Sequence, residues 1–145
     1  MFQHILLPTD GSDASLAAAR SCMRFAAQIG ARVTAVHVVP PLHLFTYEPV
    51  VTEQVHETYR RNRDARAQEF LVPIAQMAQE ASVACNIMLA EADEPYEAII
   101  RTARDQMCDL IVMASHGRKG VRAMLIGSQT QRVLTHSTIP VLVCR

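Results

Sequence analysis

Tryptophan is absent from this 145-residue chain, aromatic residues make up 5% of it, tyrosine occurs three times and glycine five times. Such a chain absorbs weakly at 280 nm. A surplus of charge is also missing: 14 Lys and Arg balance 14 Asp and Glu, for a formal net charge of +0. This excludes a protein whose affinity comes from neutralising a nucleic-acid backbone. No stretch approaches the roughly 18 apolar residues of a membrane span. The opening Met1-Phe2-Gln3-His4-Ile5-Leu6-Leu7-Pro8 lacks a basic segment ahead of a long apolar run, so a cytosolic protein is expected. Cys22, Cys85, Cys108 and Cys144 form no C-x-x-C pair, which removes the sequence case for a zinc site or redox dithiol and predicts reduced thiols. His4, His37, His43, His56 and His136 show no i, i+4 pairing, so no metal site is expected. There is no internal repeat and no low-complexity tract. The length suits one domain over residues 1–145, burying about 68–70% of the surface of its unfolded chain.

What is present is an alternation of short apolar runs rich in β-branched residues with longer stretches of helical period. Strands are predicted at Ile5–Pro8, Val33–Val39, Val83–Leu89, Leu110–Ala114 and Val141–Cys144. Helices are predicted at Ser12–Ile29, about Val51–Ser82, about Pro95–Gln106 and Ser128–His136. The first helix has turn signals in Asp10-Gly11-Ser12, an apolar line at Leu16, Ala19, Met23 and Ala26, and Gly30 as its stop. In the second, Pro73 interrupts a stripe of Phe70, Leu71, Ile74 and Met77. A proline inside a helix costs about 3 kcal/mol, so a kink or two helices divided near Val72 is expected. Its run Arg60-Arg61-Asn62-Arg63-Asp64-Ala65-Arg66 reads as a solvated face. The stretch from Pro40-Pro41 to Pro49 reads as a surface connection.

Nearly continuous apolar strands with helices between them predict an α/β fold with an open parallel sheet, covered on both faces and joined by right-handed crossovers. Ligands of such sheets sit outside the carboxyl ends of the strands, where the winding direction reverses. Two loops stand out there: Pro8-Thr9-Asp10-Gly11-Ser12, and the stretch from Ala114 to Ser128. The second holds three of the five glycines, Gly117, Gly120 and Gly127, within eleven residues. Gly117 would let the backbone turn closely about an anion. Gly127-Ser128 would open the last helix with free N–H groups and a hydroxyl. The spacing matches neither Gly-x-Gly-x-x-Gly nor Gly-x-x-x-x-Gly-Lys-[Ser/Thr], so neither a dinucleotide fingerprint nor a P-loop is assigned.

These residues resemble the universal stress protein family, whose nucleotide-binding members carry Gly-x2-Gly-x9-Gly-[Ser/Thr] late in the chain. Here the pattern reads Ala114-x2-Gly117-x9-Gly127-Ser128, with Ile-Leu-Leu-Pro-Thr-Asp-Gly-Ser at 5–12, His37-Val38 closing the second strand and Ile139-Pro140-Val141-Leu142-Val143 at the end. The resemblance covers essentially the whole chain and departs at Ala114, where the family has glycine. It implies a Rossmann-like five-stranded sheet of order 3-2-1-4-5, a homodimer paired through the strand Val141–Val143, and ATP or AMP in the crevice, with Mg2+ as a candidate companion. Carried over by position, Asp10 would face the ribose or a phosphate-bound cation, with Pro8 and Thr9 shaping the wall. The Val38 backbone would meet the adenine edge. Ala114, Ser115, His116 and Gly117 would run along the ribose and phosphates, with Met113 also counted among the binding residues, Arg118 and Lys119 would add charge, and Gly127, Ser128 and Gln129 would hold the phosphate tail.

No catalytic constellation is visible, because no serine, cysteine or carboxylate stands at a working spacing from His116. The expectation is a nucleotide-dependent stress-response or regulatory dimer with at most slow, incidental hydrolysis. Two other readings stand beside it. One is a ligand-free interaction dimer of the same fold. The other is an ATP pyrophosphatase, since Asp10-Gly11-Ser12-Asp13-Ala14-Ser15 is faintly similar to a Ser-Gly-Gly-x-Asp-Ser loop, although the double glycine is missing. Asp10 itself could be no more than a turn residue.

Overall fold

The computed structural model describes residues 1–42, 53–116 and 126–145. Among these residues, strands and helices alternate as β1 His4–Pro8, α1 Asp13–Ile29, β2 Arg32–Val39, α2 Glu53–Glu80, β3 Cys85–Glu91, α3 Pro95–Asp105, β4 Leu110–Ala114, α4 Ser128–His136 and β5 Val141–Cys144. All strands run parallel in one sheet of order β3-β2-β1-β4-β5, the order expected. Residues 51 and 52, where the second helix was expected to begin, lie outside the described residues.

Ile5, Leu6 and Leu7 are all 0% exposed in the central strand β1. Ile5 and Leu7 face a core completed by Met23, Ala26, Leu71 and Ile74 from α1 and α2, while Leu6 faces Ile99, Ile100 and Val133 from α3 and α4. Burying each such side chain contributes roughly 1.5–3 kcal/mol, more than the ~1 kcal/mol spanned by strand propensities, so leucine is accepted here in a strand.

The helix ends explain where the expected boundaries shift. Gly30, at φ +70, ends α1, with its N–H and that of Ala31 both reaching the Ala26 carbonyl. Ser82 at φ +55 and Met107 at φ +54 do the same job after α2 and α3 without a glycine. Val83 then donates to the Ala78 carbonyl and Cys108 to that of Ala103, the bonding of a Schellman ending. Val83 is therefore part of the cap of α2, and β3 begins at Cys85, two residues later than its apolar run predicts.

Helix α2 is one continuous element with Pro73 inside it, so of the two alternatives, a kink or a division near Val72, the division does not occur. Pro73 leaves the Glu69 carbonyl without its helical donor, but Glu69 is exposed and water can supply one. Leu71 and Ile74, both 0% exposed, anchor the same turn and together offset the ~3 kcal/mol proline cost. The expectation of a solvated arginine face also needs correction. Arg60, Arg61 and Arg66 are exposed, whereas Arg63 folds inward onto Glu91 of β3, Asp64 and the Pro40 carbonyl. The four cysteines are free thiols. Burial pushes the Cys22 thiol up to about 12 and that of Cys108 up to about 11, which leaves both protonated and inert.

Candidate functional site

Strands β1 and β4 are neighbours, yet their pairing covers only Ile5↔Leu110 and Leu6↔Ile111. The next donor in that ladder would be the N–H of residue 8, and Pro8 has none. The two strands part there. The chain leaving β1 enters α1 on one face of the sheet, and the chain leaving β4 leads to α4 on the other. This is the reversal of winding at which an open α/β sheet forms a crevice.

Beside it, β2 outruns β1. The Thr9 N–H donates to the Val36 carbonyl at 2.9 Å, so the polar backbone atoms of Val36 face β1. Those of Val38, two residues on, face the same way by the period of a strand, past the point where β1 has ended. A donor and an acceptor of one residue thus look into the gap.

The turn after β1 is held from within. Asp10 Oδ1 accepts the Ser12 N–H at 3.0 Å, and Ser12 Oγ in turn caps α1 by accepting the Ser15 N–H at 3.2 Å. Thr9 is buried, with its hydroxyl paired to Ser15 Oγ at 3.1 Å and accepting the Gly11 N–H at 3.3 Å. His37 Nδ1 lies 2.7 Å from the Thr9 carbonyl, and the Phe70 ring stands edge-on to His37 at 5.0 Å.

On the β4 side, Ser115 is a buried junction. Its N–H donates to the Cys144 carbonyl at 2.7 Å, its carbonyl accepts the Gly127 N–H, and its hydroxyl meets His116 Nδ1 at 2.9 Å. The Gly127 N–H is therefore already engaged, which corrects the expectation that it is a free donor. Gly127 also has φ −65 and ψ 152, a conformation open to any residue. The donors at the start of α4 are instead the N–H groups of Ser128, Gln129 and Thr130, since the helical ladder begins with Gln131 donating to the Gly127 carbonyl. No side chain caps this end and no acidic residue occupies its first turn, so the helix dipole there is uncompensated from within α4. The Thr130 hydroxyl fastens the helix to the Ala114 carbonyl at 2.9 Å.

The parallel sheet thus brings Pro8, Thr9, Asp10, Val38, Ala114, Ser115, His116, Gly127, Ser128 and Gln129 to its carboxyl edge. Two of the expected site residues, Met113 and Gln129, also make contacts within the fold. The Met113 side chain is packed in the core against α3 and α4. Gln129 Oε1 accepts the Tyr96 N–H at 3.0 Å and so joins the beginnings of α3 and α4. Gly117, Arg118 and Lys119 lie outside the described residues. Sequence reasoning missed the parts played by His37, Phe70 and Tyr96, because each acts through a partner distant in the chain and has no local spacing to reveal it.

Among the described residues, no group of three or more His, Cys, Asp or Glu side chains is placed to hold a metal ion, and no helix is long and apolar enough to cross a membrane. A family model described as the universal stress protein family matches residues 1–145. A universal stress protein of Thermus aquaticus is 32% identical over 145 residues, spanning 100% of both chains. The universal stress protein MJ0531 of Methanocaldococcus jannaschii is 32% identical over 145 residues, covering 100% of this chain and 83% of the relative. Among solved structures, the universal stress protein UspA from Lactobacillus plantarum superposes with a TM-score of 0.83 at 25% identity, over 99% of this chain and 98% of that one. Two more distant structures share the fold. One is a universal stress protein in complex with cAMP, with TM-score 0.72, 21% identity and coverage of 99% and 97%. The other is the universal stress protein from Archaeoglobus fulgidus in complex with dAMP, with TM-score 0.70, 17% identity and coverage of 100% and 98%.

Proposed function

The chain belongs to the universal stress protein family, and from that premise we propose that it is an adenine-nucleotide-binding regulatory protein that holds ATP or AMP in the crevice between β1 and β4. The observation that carries this reading is the convergence of three unlike groups on one edge. The Val38 backbone offers a donor and an acceptor side by side, which suits the N1 and N6 edge of adenine. The Asp10 turn brings a carboxylate to the ribose or to a cation on the phosphates. The N–H groups of Ser128, Gln129 and Thr130, at the positive end of α4, suit the anionic tail. The same fold carries cAMP in one solved structure and dAMP in another. If Mg2+ accompanies the nucleotide, Asp10 is the carboxylate that would meet it, with the phosphates supplying the remaining oxygen ligands.

The protein acts through its nucleotide-bound shape and not through turnover. Ser115 Oγ and His116 Nδ1 lie within hydrogen-bond reach, but Ser115 is buried and its backbone is tied to β5 and Gly127, a poor position for a nucleophile. Residues 1–145 form a single domain of cytosolic type that works as a homodimer through β5. The two edges of the sheet support that assembly because they are treated differently. On β3, Asn86 Oδ1 accepts the outward Ile87 N–H and Arg101 donates to the outward Glu91 carbonyl, so the edge is blunted by its own side chains. On β5, the carbonyls of Pro140 and Cys144 are bonded to β4, which turns the backbone of Val141 and Val143 outward beside the 44% exposed Leu142. Antiparallel pairing with a second copy would satisfy that edge.

Purification from the native host without added nucleotide tests the reading. With no tryptophan and three tyrosines, the protein contributes little at 280 nm, so a retained adenylate gives a dominant 260 nm band and is identified after acid extraction. Protein that emerges empty and gives no calorimetric heat with ATP or AMP refutes nucleotide binding and leaves the ligand-free interaction dimer. Multiple-turnover release of pyrophosphate with an added acceptor would establish the enzyme instead.

A further inference from the structure

Thr9 is gripped by β2 at both of its backbone polar groups. Its N–H donates to the Val36 carbonyl at 2.9 Å, and its carbonyl lies 2.7 Å from His37 Nδ1. A carbonyl oxygen can only accept, so Nδ1 carries the hydrogen and donates. The imidazole is steadied by the Phe70 ring, whose centroid stands 5.0 Å away at 65°. The same Phe70 ring covers Gly11, where a Cβ would come within 2.2 Å of Phe70 Cδ1. Asp10 lies between the residue that His37 holds and the residue that Phe70 covers, with its own Oδ1 on the Ser12 N–H.

We infer that His37 is a positioning residue of the nucleotide site, which fixes the distance between the adenine contact at Val38 and the carboxylate of Asp10. This inference rests on the nucleotide reading above. His37 and Val38 are consecutive in β2, so the base contact and the brace on the Asp10 turn move as one rigid piece. The Nδ1–H···O bond is one of the links between the end of β2 and the turn after β1, and without it a ligand that touches both loses part of its fixed span. The sequence motif places His37 beside the base contact, but its work is done across the sheet on the other loop.

Two substitutions separate positioning from plain packing. His37→Leu keeps apolar bulk against Phe70 and has no donor. His37→Asn gives up the ring but can set an amide N–H near the place of Nδ1. Both are measured by titration calorimetry with ATP and Mg2+, by thermal melting and by backbone amide chemical shifts without ligand. His37→Leu is expected to weaken ATP about tenfold, the worth of one part-buried hydrogen bond, with little change in melting temperature. His37→Asn is expected to melt lower and to keep most of the affinity, and only His37→Leu should shift the amide signals of Asp10, Gly11 and Ser12. ATP affinity in His37→Leu equal to that of the unsubstituted protein, or affinities that simply follow the melting temperatures, would overturn the inference. Unmoved amide signals overturn the brace itself even if neither nucleotide binds, whereas failure of the unsubstituted protein to bind ATP or AMP overturns the nucleotide reading and the positioning role with it.

Discussion

Gly11 lies directly under the ring of Phe70: a Cβ on Gly11 would fall 2.2 Å from Cδ1 and 2.6 Å from Cε1 of that ring. Its backbone also stands at φ +76, which L side chains rarely adopt. Gly11→Ala therefore meets two penalties, a left-handed backbone worth about 1–2 kcal/mol and a contact that the half-buried ring must yield to. We expect a loss of about 2–4 kcal/mol by urea denaturation. In a Phe70→Leu background the same substitution should cost only the backbone part, about 1–2 kcal/mol, and equal costs in both backgrounds would show that the ring does not constrain the turn.

Met107 presents the opposite case, a side chain where glycine would serve better. It ends α3 at φ +54 while 79% exposed, so it supplies no packing to offset the strain. Met107→Gly is expected to raise stability by about 0.5–1 kcal/mol with an unchanged denaturant slope. A lower midpoint would mean that the thioether makes contacts worth more than the left-handed backbone costs.

His4 gives the fold a pH dependence of its own. It is buried, with Nε2 2.8 Å from Thr34 Oγ1, and burial first, then the charge of Arg32, holds its pKa below the usual histidine value. The Gln106 carbonyl and Asp109 oppose this without reversing it. Above about pH 6.5 both folded and unfolded chains carry the neutral ring, and stability is independent of this group. As pH falls below that value the unfolded chain takes up the proton first, so stability declines until the folded pKa is passed. Urea midpoints from pH 8 to 5 should fall for the native sequence and fall less for His4→Gln. Asp109 acts in a separate, more acidic window. Burial alone would raise its pKa, but the backbone N–H groups of Gln3 and His4 hold it below the usual carboxylate value. Its contribution is present above about pH 4 and is lost as pH falls further.

The elements that were legible in the sequence are those whose signals are local. The apolar run Leu110–Ala114 and the helix Ser128–His136 agree with the structure residue for residue, because strand, turn and helix signals follow one another there without conflict. The end of α1 was marked by Gly30. The ends of α2 and α3 were not, since Ser82 and Met107 take the left-handed position and the chain shows no glycine at either place. That α2 continues through Pro73 as one helix is not legible from propensity, which counts the lost hydrogen bond and cannot see Leu71 and Ile74 on the core side of the same turn. Arg63 reads as part of a solvated run because its partner Glu91 is 28 residues away. The candidate site divides along the same line. Its loops follow from the alternation of strands and helices, whereas the brace from His37 to Thr9 and the bond from Tyr96 to Gln129 are tertiary and leave no trace in the spacing.

Pairing through β5 can be tested without disturbing the sheet. The Val143 N–H faces away from β4, since Cys144 and Pro140 supply the carbonyls on the β4 side. Val143→Pro removes only an outward donor, as edge strands tolerate, and β4 keeps its ladder. Sedimentation should show the native sequence as a dimer and Val143→Pro as a folded monomer. A dimer that survives the substitution would place the interface elsewhere.

Gly127→Val bears most directly on the crevice. With φ −65 and ψ 152 the backbone accepts a branched residue, its N–H continues to reach the Ser115 carbonyl, and Thr130 still ties α4 to Ala114. Exchange of one uncapped N-terminal residue for another costs at most about 1 kcal/mol. The fold should therefore persist, with a near-native circular dichroism spectrum. The added isopropyl group stands at the N-cap position of α4, next to the N–H groups of Ser128, Gln129 and Thr130 proposed above to meet the phosphates. Retained nucleotide in the purified protein and calorimetric heat with ATP should both be lost. A folded Gly127→Val protein that binds ATP as the native sequence does would remove the start of α4 from the site and leave Val38 and Asp10 without an anion-binding counterpart.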